Sequence, residues 1–231
     1  MLFKDYKEKA MMTNGCGKRA TYFLHALTGE IGELVDELKK VSYHNHEINK
    51  EKILKEVGDI MWAIAYYENI HEHQFEEMKI YDKIINNDEF KHLILDNGHY
   101  IYAVLNSKTT NYLIDVKDND LRGKLDVVAI KLLSISGRIT EEFNQVLFNN
   151  INQTSVDTEM INKVIVHNFA SSTCCIVKRN LIHLLSILSY LCNSILESTI
   201  DDAMKLNIDK LQKRYNGSFS SEKSIDRVDV K

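Results

Sequence analysis

The sequence predicts an all-α protein, a bundle of amphipathic helices. Three observations lead there. No proline occurs among the 231 residues, so helical hydrogen bonding is nowhere interrupted and the turns of a β-sandwich lack one of their usual residues. Apolar residues recur at spacings of three and four through Leu24, Leu27, Ile31, Leu34 and Leu38, and again through Ile53, Val57, Ile60 and Ile64; this is the period of one helix face. Only Tyr100–Val104 and Tyr112–Val116 have strand-like composition, and nothing else offers them a sheet to join.

The elements follow in order. Residues 1–12 predict a short amphipathic helix, broken by Thr13-Asn14-Gly15. A long helix is expected over 18–41 and a second over 50–69, with Asn49 as its N-cap. The polar linker 42–49 is short enough to fold the two into an antiparallel hairpin. A further helix is expected over 71–86, and short helices or irregular structure over 87–120. Helical period resumes at Leu125. Residues 149–160 read as a loop, and the polar residues after Phe219 as a mobile tail.

Composition narrows the function classes. Charged residues are 27% and hydrophobic ones 44%, as in ordinary soluble domains. A net charge of −4 argues against a broad nucleic-acid-binding surface. Cys16, Cys174, Cys175 and Cys192 form no CxxC pair and read as reduced thiols. The N-terminus lacks a signal pattern. The most apolar run, Leu181–Leu191, is broken by His183, Ser186 and Ser189, short of a membrane span. The expectation is a cytoplasmic protein without nucleic-acid or membrane partners.

The chemistry concentrates in two stretches. In Gly29-Glu30-Ile31-Gly32-Glu33 and Glu56-Val57-Gly58-Asp59, each acid pair is three residues apart, so its members neighbour one another on a helix. One such pair is what a solvated face carries. Two on the arms of one hairpin can bring Glu30, Glu33, Glu56 and Asp59 together. Carboxylates that close take up protons or bind a cation. Oxygen ligands select a hard ion, Mg²⁺ or Mn²⁺. Gly29, Gly32 and Gly58 beside the acids each cost roughly 1 kcal/mol in a helix interior, which suggests close helix packing or close ligand approach. The pairs His44/His46 and His71/His73 find no third ligand and read as surface residues; His183 reads as a core or interface histidine.

Three blocks in order resemble the MazG-like nucleotide pyrophosphohydrolases of the all-α nucleoside triphosphate pyrophosphatase superfamily. They are GEIGELVDELKK, KEVGDIMWAIAYY and Asn207-Ile208-Asp209-Lys210-Leu211-Gln212-Lys213-Arg214-Tyr215. The family pattern is ExxE, a spacer, ExxD, and in one subgroup a tail close to N-x-x-K-L-x-x-R-Y. The resemblance implies that Glu30, Glu33, Glu56 and Asp59 are catalytic metal ligands for Mg²⁺, with Mn²⁺ as the alternative. It implies hydrolysis of a ribo- or deoxyribonucleoside triphosphate to the monophosphate and pyrophosphate. It offers Lys210, Arg214 and Tyr215 as phosphate or base contacts. Asn207 is a further candidate, and Trp62 is a candidate for base stacking. The competing reading is a non-catalytic helical binding or regulatory protein that retains the fold. The base and sugar stay open, as does the choice between monomer and homodimer.

The second half reads as a degenerate tandem repeat. Residues 134–143 lie over 26–35 with Gly137 on Gly29, and 178–190 lie over 54–66. Arg138 then stands at the place of Glu30, Asn180 at that of Glu56 and His183 at that of Asp59, while Glu141 matches Glu33. The expected organisation is a first repeat over 1–86, an insertion over 87–124 and a second repeat over 125–231. The first half carries the acids, and past Tyr66 it runs into Glu68, Glu72, Glu76 and Glu77, which would repel a triphosphate. The second half carries the basic tail without the acids. A composite site follows.

Overall fold

Local signals set the helix ends. In a computed structural model, which describes residues 1–71, 120–150, 172–215 and 219–226, the described residues form helices and no strand. Helix α1 spans Phe3–Met11, α2 Ala20–His44 and α3 Lys50–His71. Asn45 ends α2 in the left-handed conformation, φ 58°, its N–H and that of His46 turning back to the Lys40 carbonyl; asparagine tolerates that geometry. Asn49 caps α3 by accepting from the Lys52 N–H at 3.0 Å, as its sequence position predicts. The helix expected over 71–86 lies outside the described residues beyond His71, as do 87–119 and the loop from 151 onward.

Helical structure resumes at Leu121, four residues ahead of Leu125. Helix α4 spans Leu121–Asn150 and α5 Ser172–Tyr190, continued by a π-helical turn over Leu191–Ile195. Helix α6 spans Ile200–Tyr215. A reciprocal cap starts it: the Asp202 N–H donates to Thr199 Oγ1 at 3.1 Å and the Thr199 N–H to Asp202 Oδ2 at 3.0 Å. This is a capping box with Asp in place of Glu. The expected polar tail is corrected in part, because Ser221–Asp226 form a short helix, α7.

Helix α2 lies at the centre, packed against α3 on one side and α4 on the other. Helix α5 packs on α4, α6 on α3, and α1 on both α3 and α6. This explains why α3 buries more than a stripe. From Ile60 to Ile70 only Trp62 and Asn69 escape full burial, since three helices surround it. Glu68 is 1% exposed, so it faces the interior and not an incoming triphosphate. Phe23 of α2 meets Phe143 of α4 with ring centroids 5.8 Å apart, joining the halves in one core.

The glycines divide. A Cβ at Gly58 would stand 2.7 Å from the Ala203 carbonyl oxygen and 2.9 Å from Asn207 Cβ, so α3 and α6 cross here at glycine distance. Cβ atoms at Gly29 or Gly32 would meet nothing within 4 Å. Close helix packing therefore accounts for Gly58 alone, because the face of α2 that carries Gly29 and Gly32 is turned outward. Among the described residues no single helix is long and apolar enough to cross a membrane.

Candidate metal centre

Helix α2 presents Glu30 and Glu33, and α3 presents Glu56, at their mutual packing surface. One carboxylate oxygen from each lies within 4.8 Å of the others. Glu30 and Glu56 are half-buried and Glu33 is exposed. Burial first, then the neighbouring charges of Asp59 and Glu33, push the carboxyls of both Glu30 and Glu56 up to about 7. The nearby Lys210 ammonium works the other way on each. Crowded negative charge with one compensating cation is the electrostatics of a cation site. The donors are all hard oxygens, so the residues fit Mg²⁺ or Mn²⁺.

Glu37 continues the row along α2 but has a different fate. Burial disfavours its charge, yet bonds from Lys40 and Lys52 hold it below the usual carboxylate range. The Lys52 ammonium, 2.9 Å away on α3, bridges the two helices.

Asp59, the fourth expected ligand, is near the cluster but occupied otherwise. Its Oδ1 accepts from Asn207 Nδ2 at 2.8 Å, and its Oδ2 accepts from Lys210 Nζ. Both donors stand on α6, more than a hundred residues away. Asn207 is in turn oriented from α1: the buried Tyr6 hydroxyl donates to Asn207 Oδ1 at 2.8 Å, with the Gly58 carbonyl oxygen 3.2 Å off. With Oδ1 so engaged, the amide can offer only its NH₂ to Asp59. Burial, with the charge of Asp59 second, holds the Tyr6 hydroxyl well above its ordinary pKa. It remains a neutral donor. Sequence reasoning missed Tyr6, because nothing near it in the chain hints at a partner some two hundred residues on.

The basic tail splits into three environments. Lys210 reaches Asp59 and the acid cluster. Asn207, only 1% exposed, holds Asp59 from within the core. Tyr215 is buried too, its ring 5.4 Å from that of Phe219, on a different face of α6 from Lys210. The half-buried Arg214 guanidinium lies 5.8 Å from the Tyr215 ring centroid.

Trp62 stacks on Tyr66 with centroids 5.5 Å apart and planes 15° from parallel. Its Nε1–H donates to the Ala10 carbonyl at 3.3 Å, so its polar edge faces protein. Tyr22 meets both rings edge-on. Burial raises the Tyr22 hydroxyl first, with Cys16, Tyr66 and Glu30 adding to the effect. His44 and His46 are exposed, as expected; His73 lies outside the described residues. Cys16 and Cys192 carry free thiols.

In the second half, Arg138 and Glu141 are exposed, Asn180 is buried and His183 half-buried. Asn180 Nδ2 donates back to the Ile176 carbonyl at 3.1 Å. No curated protein and no solved structure matches the chain. The family model of the MazG nucleotide pyrophosphohydrolase domain does match, over residues 19–89. That match takes in α2, α3 and all four acids, so this part of the chain is similar to the MazG nucleotide pyrophosphohydrolase domain.

Proposed function

We propose that the protein is a divalent-metal-dependent nucleotide pyrophosphohydrolase. It would cleave a ribo- or deoxyribonucleoside triphosphate to the monophosphate and pyrophosphate. The convergence of Glu30, Glu33 and Glu56 within 4.8 Å carries the reading, inside the segment that matches the family. Mg²⁺ is the expected ion, with Mn²⁺ able to replace it. Such an ion, when bound, neutralises phosphate charge and makes a bound water more acidic at neutral pH.

The chain's own groups divide the work. Glu30, Glu33 and Glu56 hold the metal, with Asp59 as the fourth acid, and their deprotonation accompanies its binding. Lys210, tethered to Asp59, supplies a point charge for the phosphates. Arg214, one turn further along α6, offers a bidentate fork from the same side. Burial of Asn207 and Tyr215 supports positioning roles for both. The half-buried Trp62, stacked on Tyr66 and edge-on to Tyr22, is the candidate for base stacking. The organisation we adopt is an acid-bearing repeat over 1–86, an insertion over 87–124 and a diverged repeat over 125–231. Pairing of α4 with α5, as α2 pairs with α3, supports it.

The test is a panel of nucleoside and deoxynucleoside triphosphates with Mg²⁺ or Mn²⁺, with pyrophosphate and orthophosphate measured separately. Pyrophosphate release from at least one substrate is expected. A folded protein that releases none from the whole panel, with either metal, would be a binding protein and not a hydrolase.

A further inference from the structure

The groups that reach the acids extend beyond the residues that match the family. Tyr6 lies on α1, ahead of the matched segment 19–89, and Asn207 lies on α6, well after it. Tyr6 is wholly buried and Asn207 is 1% exposed. Helix α1 packs on α3 and α6 together, where Gly58 lets those two helices approach. The Tyr6 hydroxyl faces two acceptors there, Asn207 Oδ1 at 2.8 Å and the Gly58 carbonyl oxygen at 3.2 Å. A hydroxyl set between two acceptors donates.

An asparagine amide has one oxygen and one NH₂. Tyr6 engages the oxygen of Asn207, and the NH₂ reaches Asp59 Oδ1 at 2.8 Å. Y6F would leave Oδ1 without that donor, and an unsatisfied buried acceptor is costly. The amide relieves the cost by turning, and turning draws its NH₂ off Asp59. Of the two α6 donors, Lys210 alone would then hold Asp59, by its other oxygen. A carboxylate held at one oxygen swings about it. Outer hydrogen bonds of this kind keep ligand carboxylates aimed.

We propose that Tyr6 is a positioning residue of the metal centre: through Asn207 it fixes the Asp59 carboxylate as the fourth acid of the cation site. The inference rests on the reading of the acid cluster as a divalent-metal site, and it makes α1 part of that site.

Isothermal titration of the full chain with Mn²⁺ alone tests it without turnover. Y6F and N207A should each weaken Mn²⁺ binding about tenfold, the lower end for loss of an outer partner. Y6F/N207A should match N207A within about twofold, because Tyr6 acts through the amide and the two losses do not add. F3L is the control for packing: Phe3 is buried on the same helix, its ring 6.2 Å from that of Tyr6, and it has no polar group to offer Asn207. It should lower Tm and leave Mn²⁺ affinity within about twofold of wild type. In wild type, where no variant has to fold, the Asn207 side-chain amide NMR signals should move as Mg²⁺ is added. Signals that stay in place overturn the proposal. So does Y6F binding Mn²⁺ as well as wild type, a double variant weaker than N207A by the full Y6F factor, or F3L weakening Mn²⁺ as Y6F does. Wild type that binds no Mn²⁺ overturns the metal centre itself, and the proposal with it.

Discussion

Glu33 is the exposed member of the converging acids, and so the one whose replacement least disturbs the core. Glu33→Gln keeps the shape and removes the charge. A misplaced metal should then lower turnover by at least ~100-fold, read as pyrophosphate release under saturating Mg²⁺. An unchanged rate would remove Glu33 from the ligand set. Glu30 and Glu56 make a second prediction. Their carboxyls sit at about 7 in the fold against an ordinary 4.5. Between those values the metal-free native state holds more protons than the unfolded chain, so stability falls as pH rises through the window. His183, at about 4 against 6.5, contributes the opposite slope between its own two values. The comparison is therefore wild type against Glu30→Gln/Glu56→Gln, in which only the histidine slope remains. In EDTA, wild type should lose Tm relative to the double variant between pH 5 and pH 8. Added Mn²⁺ should restore wild type at pH 8 and leave the variant unmoved.

At the scale of the helix, the crossing of α3 and α6 decides whether the basic tail meets the acids. Gly58 sets that crossing. Gly58→Ala would drive a methyl group to 2.7 Å from the Ala203 carbonyl oxygen, and backbone cannot step aside as a flexible side chain does. Overpacking of this kind costs about 1–3 kcal/mol. Denaturant unfolding should show that loss. Activity should fall as well, because displacement of α6 carries Asn207 and Lys210 away from Asp59. Gly29→Ala and Gly32→Ala, which meet open space, should instead hold or gain stability through better helix propensity. The expectation that all three glycines serve close approach rested on their common place beside acids. Which of them has a neighbour depends on the helix opposite, and that is not written next to the glycine.

The whole molecule brings the acids of α2 and α3 together with a cation from α6. Lys210→Ala should lower kcat/KM by ~10- to 100-fold, the effect of losing one charge-assisted contact worth roughly 1.5–3 kcal/mol. Steady-state kinetics with the best substrate of the panel measures it, and an unchanged kcat/KM would dissolve the composite site. A chain ended near residue 200 is the weaker test. It would strip Ala203, Met204, Ile208, Leu211 and Tyr215 from the core and expose the face of α3 on which α6 lies, so lost activity would report lost folding.

Periodicity by itself determined α1, α2 and α3, and Asn49 announced the start of α3, because these signals act within a few residues. The acid pairs were legible for the same reason: a spacing of three places side chains together inside one helix, whatever surrounds it. The hairpin then needed only a short linker to bring Glu56 to Glu30 and Glu33. Tertiary structure decided the rest. A period assigns a residue to a face but does not say what that face will meet. Glu68 reads as a surface acid until α3 is enclosed on three sides. Tyr215 reads as a ligand contact until Phe219 covers it. Asp59 reads as the equal of Glu56 until α6 delivers Asn207 and Lys210 to its two oxygens, with Tyr6 fixing the amide from α1. Those contacts join residues separated by about 150 to 200 positions. Each partner is placed by the packing of its own helix and not by local sequence, so only the assembled fold reveals them.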